Sequence, residues 1–159
     1  MEGRDDEVAC YDEIAVGERH IGRERYRVTR DEIVEYALKW DSRDYHVDEE
    51  AARRSIFGGL VASGSHVIAI WTRLSLAARR EARPWATLAG LGSELEMRTP
   101  TRPGDELRYA GEVIEKREST SRPDAGIVRT RHRLLNQRDE VVFESVSAIL
   151  VKRRGPDLA

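Results

Sequence analysis

The sequence predicts an α+β domain in which an antiparallel β-sheet wraps around one long, central α-helix. Helical spacing of apolar residues dominates the first half of the chain, and alternating patterns separated by turns dominate the second half. Helices followed by a run of strands are typical of the α+β class. The longest helical pattern, from residue 60 to about residue 80, is apolar on nearly all sides until Arg79 and Arg80, so it needs a cover.

The first half contains weaker elements before this helix. Residues 24–28 form a short strand candidate. Thr29 and Glu32 have the spacing of a capping box, in which each side chain accepts from a backbone N–H of the other residue, and the helix that follows is predicted to end near Trp40. Asp48 is predicted to cap a short helix with acidic residues in its first turn.

The second half supplies the sheet. Turns rich in Pro, Gly, Asn and Asp separate four strand patterns, which cover residues 93–98, 106–118, 127–135 and 141–151. The last pattern is apolar on both faces, which favours a central or interface strand.

Composition restricts the possible functions. The 159 residues suit a single domain, with an expected core from about residue 20 to 152 and flexible termini. The 27 basic and 29 acidic side chains are mixed along the chain, which argues against nucleic-acid binding. Cys10 is the single cysteine, so an internal disulfide and a cysteine zinc site are excluded. We expect no metal and a cytoplasmic protein without a membrane span, because no signal-peptide pattern or sufficiently long apolar run is present.

Candidate chemistry is concentrated between residues 41 and 66. Asp41 and His46 lie five residues apart, just beyond the predicted end of the first helix, and a glycine-rich segment leads from them into the long helix. A carboxylate and an imidazole can transfer protons, and free N–H groups at a helix N-terminus can stabilise an oxyanion that develops beside them. Alternatively, Asp41 caps a turn and His46 is a hydrogen-bonded loop histidine.

Gly64 lies near the predicted start of the long helix, where free N–H groups favour a negative oxygen. A second interpretation is close packing of the helix against the sheet, which also needs a small residue. Ser63 and Ser65 are predicted to cap the helix or to line a substrate pocket. A serine nucleophile is not indicated, because Val61 stands where a nucleophile elbow requires glycine. His66 is predicted to be a core or interface histidine.

Several motifs resemble the MaoC-like acyl dehydratases and (R)-specific enoyl-CoA hydratases. They are Asp41-x4-His46, then Phe57 followed seven residues later by Gly64, then the turn at residues 98–107 (RTPTRPGDEL) and the hairpin at residues 136–142 (NQRDEVV). The resemblance covers about residues 25–152. The chain departs from it in lacking the Asn-Pro that many members carry between the Asp and the His, and in having Ser63-Gly64 where many members have His-Gly.

The resemblance implies a hotdog fold and reversible hydration of a 2-enoyl-CoA, or dehydration of a 3-hydroxyacyl-CoA. It implies Asp41 and His46 as the catalytic dyad and the Gly64 N–H as the donor to the thioester carbonyl. The coenzyme A thioester would be the substrate, with no further cofactor. It also implies a homodimer or higher homo-oligomer, for which the C-terminal strands are the expected contacts.

Two other functions remain open at this point. A hotdog thioesterase would hydrolyse the thioester, and a non-catalytic acyl-binding or scaffolding hotdog protein would only hold it. The arginines at positions 129, 131 and 133 could contact the phosphates of coenzyme A, but such a row is more typical of a solvated sheet face.

Overall fold

The computed structural model describes residues 8–155 and confirms the α+β class. A short 3₁₀ helix (Tyr11–Glu13) precedes the regular elements. These are, in chain order, β1 (Arg19–Ile21), β2 (Tyr26–Arg27), α1 (Arg30–Trp40), α2 (Asp44–Val47), α3 (Glu49–Arg54), α4 (Gly64–Glu81), β3 (Thr87–Met97), β4 (Glu106–Glu118), β5 (Ala125–Leu135) and β6 (Val141–Lys152).

The strands form one antiparallel sheet in the order β1-β4-β5-β6-β3, and β2 also pairs with β4. Consecutive strands β4, β5 and β6 are joined by tight turns and lie side by side, as their spacing predicts. Strand β6 is hydrogen-bonded on both sides, by β5 and by β3. The prediction of a central strand at residues 141–151 is therefore confirmed, and β3 forms an edge of the sheet.

Helix α4 packs one face against the sheet. Its residues Val67, Ile70, Leu74 and Ala78 recur at helical spacing and are buried with Leu107, Tyr109, Leu134 and Phe143 of the strands. The opposite face is exposed, and Leu76 keeps 48% of its surface accessible. The predicted packing of the sheet against a long central helix is therefore confirmed, and within the single chain the sheet covers one side of α4.

The helix boundaries differ from the sequence prediction in two details. Helix α4 begins at Gly64 and not at residue 60, because Ser63 caps it by accepting from the His66 N–H at 3.3 Å. Thr29 caps α1 as predicted, at 3.2 Å from the Glu32 N–H. The Glu32 carboxylate does not reach back to the cap; it accepts instead from the Tyr26 hydroxyl and lies 3.2 Å from His66 Nε2.

Strand β3 also starts earlier than predicted, at Thr87 instead of residue 93. Its pairing with β6 is irregular between Thr87 and Ala89 and again between Gly90 and Gly92. Glycine lowers strand propensity and is typical of such bulges, which concealed the first half of the strand.

The segment before β1 belongs to the packed structure. The Ala9 N–H donates to the Pro84 carbonyl at 2.7 Å, and the Ala86 N–H donates to the Ala9 carbonyl at 2.9 Å. Tyr11 and Ile14 are buried with Trp85 and residues of β4, β5 and β6. Of the termini that were predicted to be flexible, residues 1–7 and 156–159 lie outside the described residues.

A buried carboxylate joins the two turn motifs. Asp105 is 3% exposed; its Oδ2 accepts from the Arg102 N–H at 2.8 Å, and its Oδ1 accepts from Gln137 Nε2 at 2.9 Å. Gly104 precedes it with a φ of +88°, a conformation that favours glycine. This connection fixes the loop at residues 98–105 against the β5–β6 hairpin.

A second polar connection crosses the inner face of the sheet. The Tyr109 side chain runs along β4 over Gly111, and its hydroxyl reaches Nδ1 of His132 at 2.7 Å on the neighbouring strand. A Cβ atom at position 111 would lie 2.2 Å from the Tyr109 hydroxyl oxygen. Gly111 therefore provides the space in which this hydrogen bond forms.

We expect Gly111→Ala to lower the free energy of unfolding by about 2–3 kcal/mol, because overpacking and the loss of a buried hydrogen bond act together. Gly155→Ala is the control, since a Cβ atom there would meet nothing within 4 Å. Urea unfolding of both variants measures the effect. Equal stability of the two would contradict the role given to Gly111.

Candidate active site

A cavity of about 270 Å³ lies at the start of α4. Three parts of the chain form it: the α2 region, the loop that enters α4, and the turn between β3 and β4. Its lining includes Tyr45, His46, Phe57, Gly64, Val67, Met97, Thr101 and Val142, with Arg43 and Arg98 also contributing. The fold therefore brings the predicted His46 and Gly64 to one cavity.

His46 lies on the single turn of α2 and is 5% exposed. Its Nδ1 is 2.7 Å from the Val61 carbonyl oxygen. Because a carbonyl oxygen only accepts, Nδ1 is the donor in this hydrogen bond, and Nε2 is the ring nitrogen left for proton transfer. The ring also packs edge-on against Tyr45, with centroids 4.5 Å apart. These contacts fix both the orientation and the tautomer of the imidazole.

Asp41 is the C-terminal cap of α1, and its N–H donates to the Ala37 carbonyl at 2.8 Å. Its Oδ2 lies 3.8 Å from His46 Nε2 and 3.0 Å from Nη1 of Arg43. The first distance is too long for a direct hydrogen bond, but it allows one water molecule to contact both groups. The side chain of Asp41 is 21% exposed, and Asp41 is not among the residues that line the cavity.

The start of α4 presents donors to this region. The N–H groups of Gly64 and Ser65 have no acceptor among residues 8–155, as is usual for the first turn of a helix. A Cβ atom on Gly64 would lie 3.3 Å from the Cε methyl of Met97, and no backbone atom of the sheet lies within 4 Å of it. Gly64 therefore faces the flexible Met97 side chain at the cavity wall. The backbone of the sheet does not pack directly against the helix at this position.

The two predicted serines differ in their surroundings. Ser63 is fully buried and caps α4, which confirms the capping interpretation. Ser65 is exposed, and its hydroxyl lies 3.3 Å from that of Ser63. Neither serine belongs to the cavity lining. A role for them in substrate binding stays a prediction.

Thr101 is a cavity residue that the sequence prediction missed. It is 3% exposed, and its hydroxyl has no hydrogen-bond partner within the described part of the chain. A buried hydroxyl without a protein partner is normally satisfied by water or a ligand, and Thr101 lines the same cavity as His46 and Gly64. Its position in the motif at residues 98–107 was visible in the sequence, but only the fold brings that turn next to α2.

The other histidines lie elsewhere. His66 is a core residue, as predicted: it is 2% exposed and stacks on Tyr36 with centroids 4.5 Å apart.

The arginine row of β5 forms ion pairs. Arg129 pairs with Glu115 at 2.9 Å and Arg133 with Glu144 at 2.5 Å. These pairs fit a solvated sheet face.

Residues 8–155 contain no cluster of three or more His, Cys, Asp or Glu side chains suited to a metal ion. No helix in that range combines the length and the hydropathy that crossing a bilayer requires.

Comparison with known proteins adds the family context. A family model described as the FAS1-like dehydratase domain region matches residues 15–145. The chain is 32% identical over 130 residues to YdeM, an uncharacterized protein of Bacillus subtilis (strain 168), covering 80% of this chain and 88% of that protein.

Solved structures of a dehydratase and of a hydratase are also similar to this chain. The crystal structure of a MaoC-like dehydratase from Rhodospirillum rubrum matches with 41% identity and a TM-score of 0.82, covering 92% of this chain and 99% of the other. The unliganded (R)-hydratase PhaJ1 from Pseudomonas aeruginosa matches with 24% identity and a TM-score of 0.67, over 91% and 86% of the two chains, which shows a shared fold. The predicted hotdog fold is confirmed, and the chain belongs to the MaoC-like dehydratase family.

Proposed function

We propose that this protein catalyses the reversible hydration of a 2-enoyl-CoA to a 3-hydroxyacyl-CoA. The observation that carries the proposal is that Nε2 of His46 lies 3.8 Å from the Asp41 carboxylate, while His46 and the first residue of α4, Gly64, border one cavity. The dehydratases and (R)-hydratases among the similar structures support this class of reaction.

In the proposed reaction one water molecule lies between Asp41 and His46. The dyad accepts a proton from the water as its oxygen bonds to C3 of the enoyl group, and this proton is then delivered to C2. Negative charge develops on the thioester oxygen in between, where the Gly64 N–H and the positive end of α4 stabilise it. The dyad regains its starting protonation state, so no other reactant is consumed.

Tyr45, Phe57 and Val67 would surround the acyl group in this proposal, and the Thr101 hydroxyl would donate to a substrate oxygen. The cavity volume of about 270 Å³ is at the small end of ligand pockets, which favours a short acyl group.

A spectrophotometric assay tests the reaction. We expect crotonyl-CoA, or a longer or branched enoyl-CoA from a panel, to lose its enoyl-thioester absorbance without release of free thiol. Thiol release at the same rate would identify a thioesterase. Saturable binding of every panel member without turnover would identify a non-catalytic acyl-binding protein.

We also propose a homodimer or higher homo-oligomer, formed through β3. All residues of β3 are exposed, including Leu88, Leu91, Leu95 and Met97, and only one edge of the strand is paired within residues 8–155. An unpaired apolar edge is a template for another strand. The expected contact through the C-terminal strands would have to use a face of the sheet, because both edges of β6 are already paired.

We expect Leu91→Glu to convert the assembly to a monomer, because it would place charges in the shared β3 contact. Sedimentation equilibrium should give the wild type at least twice the chain mass of 18.1 kDa and the variant that mass alone. Leu38→Glu, at a 65% exposed position on α1, is the matched control and should remain assembled. A monomeric wild type at micromolar concentration would disprove the assembly.

A further inference from the structure

A second cavity, here called the Arg79 cavity, lies between α4 and the strands β3, β5 and β6. Its volume is about 230 Å³, and its lining includes Trp71, Ser75, Leu76, Arg79, His132 and Ile149. Arg79 follows Gly64 by fifteen residues on α4, which corresponds to about 22 Å along the helix axis. This cavity is therefore separate from the candidate active site.

Arg79 is a partly buried cation without a counter-ion among residues 8–155 of its own chain. Its guanidinium carbon lies 5.2 Å from the ring centroid of Trp85, and it forms no hydrogen bond or ion pair with any residue that the structure describes. Burial lowers the pKa of Arg79, which reflects the cost of removing its charge from water. A desolvated guanidinium is normally balanced by an anion with matching geometry.

The remaining polar groups of the Arg79 cavity bring no negative charge. His132 is 1% exposed and bridges the Tyr109 hydroxyl at 2.7 Å and the Ser147 hydroxyl at 2.6 Å. Burial, followed by the nearby Arg79, lowers the pKa of His132 to about 3, so the ring is neutral at pH 7. Trp71 adds a buried indole N–H that has no acceptor among residues 8–155. No carboxylate lines the cavity.

The geometry points to a binding site for a small organic carboxylate, held by the Arg79 guanidinium with its short carbon chain against Leu76 and Ile149. One fixed positive charge matches one carboxylate, and the planar guanidinium can hold both carboxylate oxygens. The apolar side chains suit a carbon chain, and the volume limits the chain to a few carbons. Inorganic phosphate would bring more negative charge than Arg79 balances.

The three tryptophans allow a direct test. Trp71 lines the cavity and Trp85 stacks near Arg79, whereas Trp40 is 66% exposed on α1. In ¹H–¹⁵N spectra of the full chain we expect sodium butyrate to shift the indole N–H signals of Trp71 and Trp85 saturably and to leave that of Trp40 unchanged. Butyramide, the neutral analogue, should shift none of them.

Substitutions at Arg79 test whether its guanidinium binds the carboxylate. We expect Arg79→Gln to weaken butyrate binding by at least about tenfold, as the loss of a charged hydrogen-bond donor does, while Arg79→Lys retains part of the affinity. Arg80→Gln is the matched control, because Arg80 is the exposed neighbour on the same helical turn. Thermal melts monitor the folding of each variant. Equal affinities of Arg79→Gln and the wild type would overturn the site.

The carboxylate could be a free acid or the end of an acyl group, and a second titration separates these sources. Glutaryl-CoA ends in a carboxylate, and pentanoyl-CoA has the same chain length without one. Shifts of Trp71 and Trp85 with glutaryl-CoA but not with pentanoyl-CoA would show that the carboxylate end of an acyl thioester enters the Arg79 cavity. The thioester itself would then lie outside the candidate active site, because a five-carbon chain is far shorter than the separation of about 22 Å between Gly64 and Arg79. Failure of butyrate and glutaryl-CoA alike to shift these signals would overturn the inference.

Discussion

Asp41→Asn is expected to lower kcat/KM for enoyl-CoA hydration by about 10²- to 10⁴-fold, the range of a lost general acid or base. The amide keeps the size of the carboxylate but cannot accept a proton from the water between Asp41 and His46. His46→Ala should cost a similar factor. Because both groups act on one water, the double variant should be little worse than either single variant.

Asp44→Asn is the matched control for this comparison. Asp44 lies three residues from Asp41 on α2 and is exposed, away from the cavity lining. Its replacement should leave turnover unchanged. If Asp41→Asn stayed within a few-fold of the wild type, Asp41 would be only the cap of α1. Independent, multiplicative losses in the double variant would argue against a shared water.

The second large effect is a loss of stability in acid, caused by His132. Burial lowers its pKa to about 3 in the folded chain, whereas an unfolded histidine titrates near 6.5. Between these values the unfolded chain binds a proton that the folded chain does not, so stability falls as the pH decreases. From pH 7 to pH 5 the free energy of unfolding should fall by about 2 kcal/mol through His132 alone.

Urea unfolding at a series of pH values and constant protein concentration measures this loss. Burial also lowers the pKa of His20, which adds a contribution of the same sign. His132→Gln cannot titrate, so the variant should be less stable than the wild type at pH 7 but should lose less stability on the way to pH 5. An unchanged slope in His132→Gln would show that His132 does not cause the acid sensitivity.

Much of the sheet could be predicted from the sequence, because alternation directly reports which residues face the core. In β5, Val128, Thr130, His132 and Leu134 alternate with three arginines, and all four are buried in the structure. The partners of His132 could not be predicted. Tyr109 and Ser147 lie on two other strands, and only the register of β4 and β6 against β5 places them beside it.

For the candidate site too, part could be predicted from the sequence and part could not. The short spacing of Asp41, His46 and Gly64 placed them in one region, and the fold brings His46 and Gly64 to one cavity. Helix α2 has only four residues, too few for periodicity to reveal, yet it turns His46 inward. The contribution of Thr101 depends on contacts between distant parts of the chain, since the Ala62 N–H donates to the Thr101 carbonyl at 2.9 Å.

The start of α4 could not be predicted from apolar spacing alone. Leu60, Val61 and Ala62 are buried like the residues of the helix and continue its pattern, although their backbone is not helical. The hydroxyl of Ser63 sets the boundary. Ser63 was predicted as a possible cap, whereas the apolar pattern placed the start of the helix at residue 60.

The packing of residues 8–14 has a consequence for truncation. The family match covers residues 15–145, but the folded unit is larger than this match. A fragment cut to those limits would lose Ala9, Tyr11 and Ile14 from one core cluster and residues 146–152 of β6, which pair with two strands. The similarity that identifies the family therefore does not mark the limits of the folded unit, which includes Ala9 at one end and Lys152 at the other.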